Sequence, residues 1–583
     1  MVTDTGLSVT NYRWQKTPVD RVAVTALSKK LGLSPLLAHL LVARGFSEAE
    51  EVDKFLKASL ASIPEPRLML NMEKVADLLR KALHEGRSIR IVGDYDCDGT
   101  TGLITLKQAF QIVNPQARVS YYVPDREKEG YGLNPKIVEQ AKRDGVEYLI
   151  SVDIGITAHK EWEMACQLGI TGICIDHHTV LGSMAPQSAV VLCPKQAGCN
   201  YPEKELAACG ISLQLARMLL AEHPRRDEII RSLCKLVAIG TVSDMVTLRS
   251  CANRAIVKAG LAGLNSGSPN KGLSALIEVS GLRDRKITAY DLGFKLGPRI
   301  NAAGRMGGST LQVIELLNAD SMEQARQLAS QIDWLNMRRQ QAQQRLVDEL
   351  LVMVEMRGRR DLVLVHGGKH DSGWHQGIVG IAAAKLVERY GRPALVCSIR
   401  NGLAYGSARS IKSFDILRAL EAVSDGLLLR FGGHSAAAGF MLDAARIDEL
   451  RTRINEYARV AFEGTDLTLV RNYDLELTPA DITVGLIKEI SCLEPHGIDN
   501  PRPTFVVRGR LVEARQVGGK HLKMKLVGRG PALDAIWWHH GELVEKVRPN
   551  AVVALMGKLE INEWNGYLRP QLNVDDLQLL KRL

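Results

Sequence analysis

The chain has 583 residues, 46% of them hydrophobic and 24% charged, with a formal net charge of +10. That length predicts three or four globular domains of roughly 100–200 residues each, and the basic balance suits a polyanionic partner such as nucleic acid. No stretch approaches 18 uncharged apolar residues, the N-terminus lacks the apolar core of a secretion signal, and the ten cysteines form no CxxC pair. Together these argue against a membrane-spanning, secreted or disulfide-scaffolded protein and favour a cytoplasmic one. Cys193, Cys199 and Cys209 lie close together and are read as free thiols rather than as a zinc or iron–sulfur site.

Residues 1–85 read as one mostly helical region. Within it, Ser47 stands three residues before Glu50, which predicts a capping box, and Val52, Phe55 and Leu56 follow at helical spacing. From 86 to 318 short apolar runs (SIRIV, YLISV, GICI) alternate with helical stretches, as in a parallel sheet covered on both faces. Residues 319–358 carry no Pro, and no Gly before Gly358, and predict one long connecting helix or two. A second α/β unit is expected over 359–462, with strands at 362–366 and 393–399. The remainder, 463–583, alternates apolar and polar residues between turns and predicts a small β-barrel or sandwich. His539 and His540, which follow Trp537 and Trp538, are expected in a strand, where neighbours face opposite ways.

The chemistry starts at IVGDYDCDGTTG, residues 91–102. Asp94, Asp96 and Asp98 alternate just where an apolar strand gives way to a turn. Three like charges in five residues repel unless a cation compensates, and open α/β sheets bind ligands at that edge. Asp153 follows YLISV, Asp176 with His177 and His178 follows GICI, and Asp244 lies in AIGTVSDMV. Carboxylates with one or two imidazoles suit Mn²⁺ or Mg²⁺ rather than thiolate zinc. Two such ions make a clamp for phosphoryl transfer, with one carboxylate shared between them.

GDYDCDG, SVDIGI, IDHH and GTVSDM resemble the four ordered motifs of the DHH phosphoesterase superfamily. GPRINAAGR (297–305), GWHQGIVGI (373–381), GSARS (406–410), FGGHSAAAG (431–439) and EPHGIDNPRPTF (494–505) resemble signatures of its RecJ branch. The likeness spans roughly residues 40 to 580. It implies an α/β fold: a parallel-sheet DHH domain, a long helix, a second α/β domain like DHHA1, and a C-terminal barrel like an OB-fold. It implies a metal-dependent exonuclease working 5′→3′ on single-stranded DNA, with two divalent ions, Mn²⁺ or Mg²⁺, and a place in DNA repair and recombination. Carried over position by position, Asp96 and Asp98 match the metal pair of the first motif, Asp153 the bridging acid of the second, His177 the metal-binding imidazole of the third and Asp244 the acid of the fourth. His178 is a second ligand or a catalytic group at the substrate; Asp94 and Asp176 are supporting groups. The chain departs from the pattern at Ile154, where the family usually has Asn, and at Cys97, where a small residue is usual; neither removes a ligand.

The remaining signatures read as phosphate-handling elements. Ser407, Arg409 and Ser410 suit a terminal phosphate, and Gly432 and Gly433 allow backbone amides close to an anion, with His434 next. Arg299, Arg305 and Arg126 are further candidates, and His375 is expected to face the cleft. In the barrel, Trp564 and Tyr567 are candidate base-stacking residues. Expected partners are single-stranded DNA, a helicase and a single-strand-binding protein, the chain itself being a monomer. Two rival readings share the motifs: a DHH phosphodiesterase for short oligonucleotides or cyclic dinucleotides, and a non-catalytic replication scaffold. The long helix and β domain argue against the first; the filled ligand positions argue against the second.

Overall fold

The computed structural model describes residues 8–125, 129–130, 132–179, 185–267, 269–305, 309–357, 360–564 and 566–580. The chain separates into two compact units. One is continuous, Ala58–Asp466; the other is made from both ends, Met1–Lys57 with Leu467–Leu583. The division falls after Lys57, inside the stretch that the sequence presents as a single helical region, 1–85. Amphipathic periodicity shows that a helix has an apolar face, but not which core receives it.

The N-terminal segment carries β1 (Arg13–Lys16), α1 (Arg21–Leu31), α2 (Pro35–Ala43) and α3 (Ala49–Leu56). Its apolar side chains, Leu27, Leu37, Leu40, Leu41, Val52 and Phe55, share one core with the C-terminal strands. The capping box expected at Ser47 does not form. The helix begins one residue later, with Glu48 at the N-cap and no side-chain cap, and Phe46 packs against Phe55 instead.

The continuous unit opens with α4 (Met72–His84), then alternates β2 (Ile89–Gly93), α5 (Cys97–Val113), β3 (Val119–Tyr122), α6 (Pro135–Arg143), β4 (Tyr148–Val152), α7 (His159–Gln167), β5 (Thr171–Ile175) and β6 (Ala189–Leu192). The five strands form an all-parallel sheet in the order β3-β2-β4-β5-β6. Burial on both faces explains why these strands read as unbroken apolar runs. A helical layer follows: α8 (Ala208–Leu219), α9 (Arg226–Ser243), α10 (Cys251–Asn265), α11 (Lys271–Val279), α12 (Ala289–Asp291), a π-helical turn Leu292–Leu296, α13 (Gly297–Arg305) and α14 (Leu311–Leu317). The predicted connector is a single helix, α15 (Met322–Met356), 35 residues long. It packs on α11, α13 and α14 at one end and on α16 (Gln376–Tyr390) at the other.

Beyond it, β7 (Leu364–Lys369), β8 (Ala394–Arg400), β9 (Leu403–Arg409), β10 (Leu428–His434) and β11 (Ala437–Asp443) form a mixed sheet in the order β10-β11-β9-β8-β7, with α17 (Ile416–Val423) and α18 (Ile447–Ala461). In the second unit β12 (Val470–Tyr473) pairs in parallel with β1. β13 (Leu475–Leu477), α19 (Val484–Ile490), β14 (Phe505–Val517), β15 (His521–Val527), β16 (Leu533–Trp537), β17 (Val552–Trp564) and β18 (Tyr567–Leu580) follow. The pairings β14–β15, β15–β16, β16–β18, β18–β17 and β17–β14 return the sheet on itself, the closed form of the expected barrel. His539 and His540 lie in the turn after β16 rather than in a strand. His539 has φ +61, and His540 stacks on Trp537.

Candidate metal and phosphate site

Register builds the site. Gly93 pairs with Val152, Val152 with Ile175 and Ile175 with Leu192 across the parallel sheet. The next residue of each strand then donates its amide to the neighbour's last carbonyl: Asp94 to Val152, Asp153 to Ile175 and Asp176 to Leu192. Three acids from three strand ends thus stand level at the carboxyl edge. Asp153 has φ +66, a left-handed conformation costly for a residue with a Cβ. Close backbone approach completes the turn: a Cβ on Gly99 would lie 2.4 Å from the Asp94 nitrogen.

Two helix N-termini point into this cluster. Asp96 caps α5, its Oδ1 accepting from the amides of Asp98 and Gly99 at 2.9 and 3.1 Å. Asp98 reaches across to α8, where its two oxygens accept from the amides of Ala208 and Cys209 at 2.8 Å each. Asp244 arrives at the C-cap of α9. The His177 ring closes the group, with Nε2 3.3 Å from Asp153 Oδ1, 3.4 Å from Asp244 Oδ2 and 3.9 Å from Asp98 Oδ2. Asp176 organises the imidazoles. Its Oδ1 lies 2.8 Å from His178 Nδ1 and accepts from the amides of His177 and His178, and Oδ2 accepts from that of Ile156.

The electrostatics are those of an anion cluster awaiting cations. Burial, then the neighbouring carboxylates, pushes Asp153 far above the ordinary carboxylate range and takes Asp244 up to about 9; burial also raises Asp98. Burial lowers His177. Burial likewise opposes charge on Asp176 and His178, but their mutual hydrogen bond, their charge attraction and the surrounding amides and carboxylates together outweigh it, lowering the acid and raising the imidazole. Three sets of side chains can each hold an ion: Asp94, Asp96 and Asp153; Asp98, His177 and Asp244; Asp153, His177 and His178. The donor set fits hard divalent cations on chemical grounds. Buried polar atoms support the fit: neither ring nitrogen of His177 nor Asp244 Oδ2 has a hydrogen-bond partner among the described residues. No cysteine joins these sets among the described residues, and Cys193, Cys199 and Cys209 are free thiols. Asp94 stands in one set, level with the residues read as ligands. Ile154 packs in the apolar core under α7.

A second cluster forms where α13, α16 and β9 meet. Arg305 donates to the Gly377 carbonyl at 3.1 Å, and a Cβ on Gly377 would lie 2.3 Å from the Arg305 carbonyl. A Cβ on Gly380 would lie 2.8 Å from Ser407 Oγ and 3.2 Å from Arg409 Nη2. Arg409 itself donates to Ser407 Oγ at 3.0 Å. Three motifs far apart in sequence therefore converge. The other candidates have structural partners of their own or lie outside the cluster. His375 caps α16, its Nδ1 accepting from the Gly377 amide at 3.0 Å, so local structure engages the side chain. Ser410 donates to the Phe414 carbonyl at 2.6 Å. Gly432, Gly433 and His434 are not a glycine loop. They form exposed edge strand β10, paired with Gly439, Ala438 and Ala437, and Gly433 is required because a Cβ would lie 2.4 Å from the Ala437 carbonyl. Arg299 is held by Asp333 at 2.9 Å and by the Lys295 carbonyl. Arg126 lies outside the described residues.

Arg339 was not legible in the sequence. It sits half-buried on α15, donating to Asn336 Oδ1 and Gln343 Oε1, with no carboxylate partner among the described residues. Burial and then the nearby Arg299 lower its pKa. Arg299 pairs with Asp333 while Arg339 pairs with neutral amides, which leaves positive charge in excess at this point. The only sequence signal was an Arg338–Arg339 doublet in an otherwise polar helix.

Three family models match the chain: the DHH family N-terminal domain over 88–241, the DHHA1 domain over 361–460 and the RecJ OB domain over 473–576. Among curated relatives, a Bacillus subtilis protein named single-stranded-DNA-specific exonuclease RecJ is 38% identical over 569 residues, covering 97% of this chain and 70% of the relative. An Escherichia coli protein of the same name is 34% identical, covering 94% and 96%. The crystal structure of RecJ from Thermus thermophilus in complex with Mn²⁺ matches with a TM-score of 0.80 at 28% identity, over 98% of this chain and 80% of that one. Its Mg²⁺ complex matches with a TM-score of 0.74 at 27% identity, over 97% and 78%. By fold, motifs and full-length similarity, the chain belongs to the RecJ family of DHH phosphoesterases.

Proposed function

We propose that the protein is a single-stranded-DNA-specific exonuclease that hydrolyses phosphodiester bonds from the 5′ end, using two Mn²⁺ or Mg²⁺ ions. The observation that carries this reading is the sharing of Asp153 and of His177, each between two of the three ion-binding sets, in a chain of the RecJ family. Asp94, Asp96 and Asp153 would hold one ion, and Asp98, His177 and Asp244 the other, with Asp153 between them. When bound, such a pair supplies a hydroxide nucleophile near neutral pH and neutralises charge on the phosphate. The protein groups do the rest. The amides of α5 and α8 hold Asp96 and Asp98 in place and offset their charge. Asp176 fixes His178 through Nδ1 and favours its protonated form, so that Nε2 gives a proton to the leaving 3′ oxygen. Ser407 and Arg409, with the start of α16, take the terminal 5′ phosphate, and Arg299 with Arg339 takes the backbone beyond it.

No helix among the described residues is long and apolar enough to cross a membrane. In the cell the protein acts as a cytoplasmic monomer in DNA repair and recombination, beside a helicase and a single-strand-binding protein. Cleavage of 5′- and 3′-labelled single strands with Mn²⁺, Mg²⁺ or chelator tests the core of this reading. Metal-dependent shortening from the 5′ end supports it. Rapid cleavage of dinucleotides with long strands left intact points instead to a phosphodiesterase for short substrates.

A further inference from the structure

The last turn of α9, which delivers Asp244, is followed by Met245, a residue in the left-handed region (φ +62) and 66% exposed. Packed along that turn is the π-helical segment Leu292–Leu296: a Cβ on Gly293 would lie 3.2 Å from Val242 Cγ1, and one on Gly297 would lie 2.1 Å from Ser243 Oγ. From the same stretch, Tyr290 and Phe294 point outwards. They are 63% and 67% exposed, and their rings stack on each other with centroids 4.6 Å apart and planes 21° apart. Large rings bury 150–250 Å² when covered, so two of them side by side in water are a costly surface unless something docks there.

The segment is built as a rigid support. Leu292 and Leu296 are fully buried beneath it. Asp291, also buried, accepts from Thr288 and pairs with Arg285 at 2.6 Å and Lys295 at 3.3 Å. A π-turn shifts the following side chains around the helix and is often kept where a side chain must be presented. The neighbouring sequence GLRDRKITAYDLGFK carries four cations, Arg283, Arg285, Lys286 and Lys295, against two acids, Asp284 and Asp291, and keeps a positive balance although Arg283 pairs with Glu278 and Arg285 and Lys295 with Asp291. Flat apolar rings beside positive charge, continuous with the acid cluster through α9, match the chemistry of an unpaired nucleotide: a base face to stack and a phosphate to attract.

We infer that Tyr290 and Phe294 form a stacking platform for bases of the substrate strand, and that this platform contributes to the choice of single over double strands. The inference rests on the exonuclease reading. A duplex hides its base faces in its own stack and gains nothing from the rings, whereas a single strand does. Because both rings are exposed, their removal leaves the core intact.

The test uses the full-length protein with Mn²⁺ and 5′-phosphorylated single strands in which one abasic nucleotide is moved stepwise from the 5′ end. For the wild type, KM is expected to rise about tenfold when the abasic nucleotide reaches the platform, within the range of one stacked base. Phe294→Ala should raise KM on the intact strand by a similar factor and lose that positional dependence, with an unchanged melting temperature. Phe294→Trp should restore both. The platform is overturned if Phe294→Ala keeps the wild-type dependence on abasic position, if Phe294→Trp fails to rescue, or if the Ala variant melts lower. A wild type that shortens no single strand at all overturns the exonuclease reading, and the platform with it.

Discussion

In metal-free protein, Asp244→Asn should make the fold more stable, although Asp244 is a proposed ligand. The Asp244 carboxyl keeps its proton up to about 9, against an ordinary value of 3.8, because it is buried beside Asp98 and Asp96. A raised folded-state pKa means stability that is fully present below the unfolded value and is lost as pH rises through the folded one. At about pH 7.5 the gap is roughly 3.7 units, and at about 1.36 kcal/mol per unit this sets a ceiling near 5 kcal/mol. Asp98 and Asp153 share the same repulsion and the new amide still lacks partners, so about 2 kcal/mol is the expected gain. The assay is denaturant unfolding in chelator and in Mn²⁺. The variant should be the more stable in chelator at pH 7.5, the difference should shrink towards about pH 4, and saturating Mn²⁺ should reverse the order because the wild type binds the ion more tightly. A variant less stable than wild type in chelator at every pH would refute the repulsion argument.

Asp98→Ala should behave oppositely. It strips the acceptors from two amides at the start of α8 and should cost about 1–3 kcal/mol as well as activity, measured by the same unfolding assay. The melting-temperature rise on adding Mn²⁺ should grow as pH increases from about 5 to 9, since each ion must displace protons from raised carboxyls; a constant rise would count against the site. Arg339→Ala should raise KM for single strands and reduce the slope of log binding against log salt by about 0.7; an unchanged slope would remove Arg339 from the phosphate track. Gly377→Ala must push the Arg305 carbonyl away and should weaken strand binding, measured by fluorescence anisotropy, while Mn²⁺ affinity measured by calorimetry stays near that of wild type.

Much of the candidate site was legible in the sequence because its logic is local. An apolar strand followed by an acid places that acid at the sheet edge, and in-register pairing then brings Asp94, Asp153 and Asp176 level. The grouping of Asp98, His177 and Asp244 was not legible, since it depends on distances such as the 3.4 Å between His177 and Asp244, which come from different layers. Nor was the second task of Asp98, because its partners are backbone amides of Ala208 and Cys209 and carry no side-chain signature. The strand that holds Gly432 and Gly433 was hidden for a related reason. Glycine allows close approach in a loop and in a tight hairpin alike, and only the pairing partner distinguishes them. Ser47 met the spacing of a capping box, but the packing of Phe46 on Phe55 placed the helix start elsewhere.

The division of the chain also governs how the molecule can be made. Arg13 and Val470 are partners in one two-stranded sheet, yet roughly 400 residues of nuclease core are translated between the segments they belong to. At about 5–20 residues per second, the first 57 residues wait on the order of half a minute for the strands that complete their core. Leu27, Leu41 and Phe55 stay uncovered for that time, which makes the emerging N-terminal segment the natural point for chaperone capture. The catalytic unit, continuous in sequence, can close on itself while that segment is still waiting.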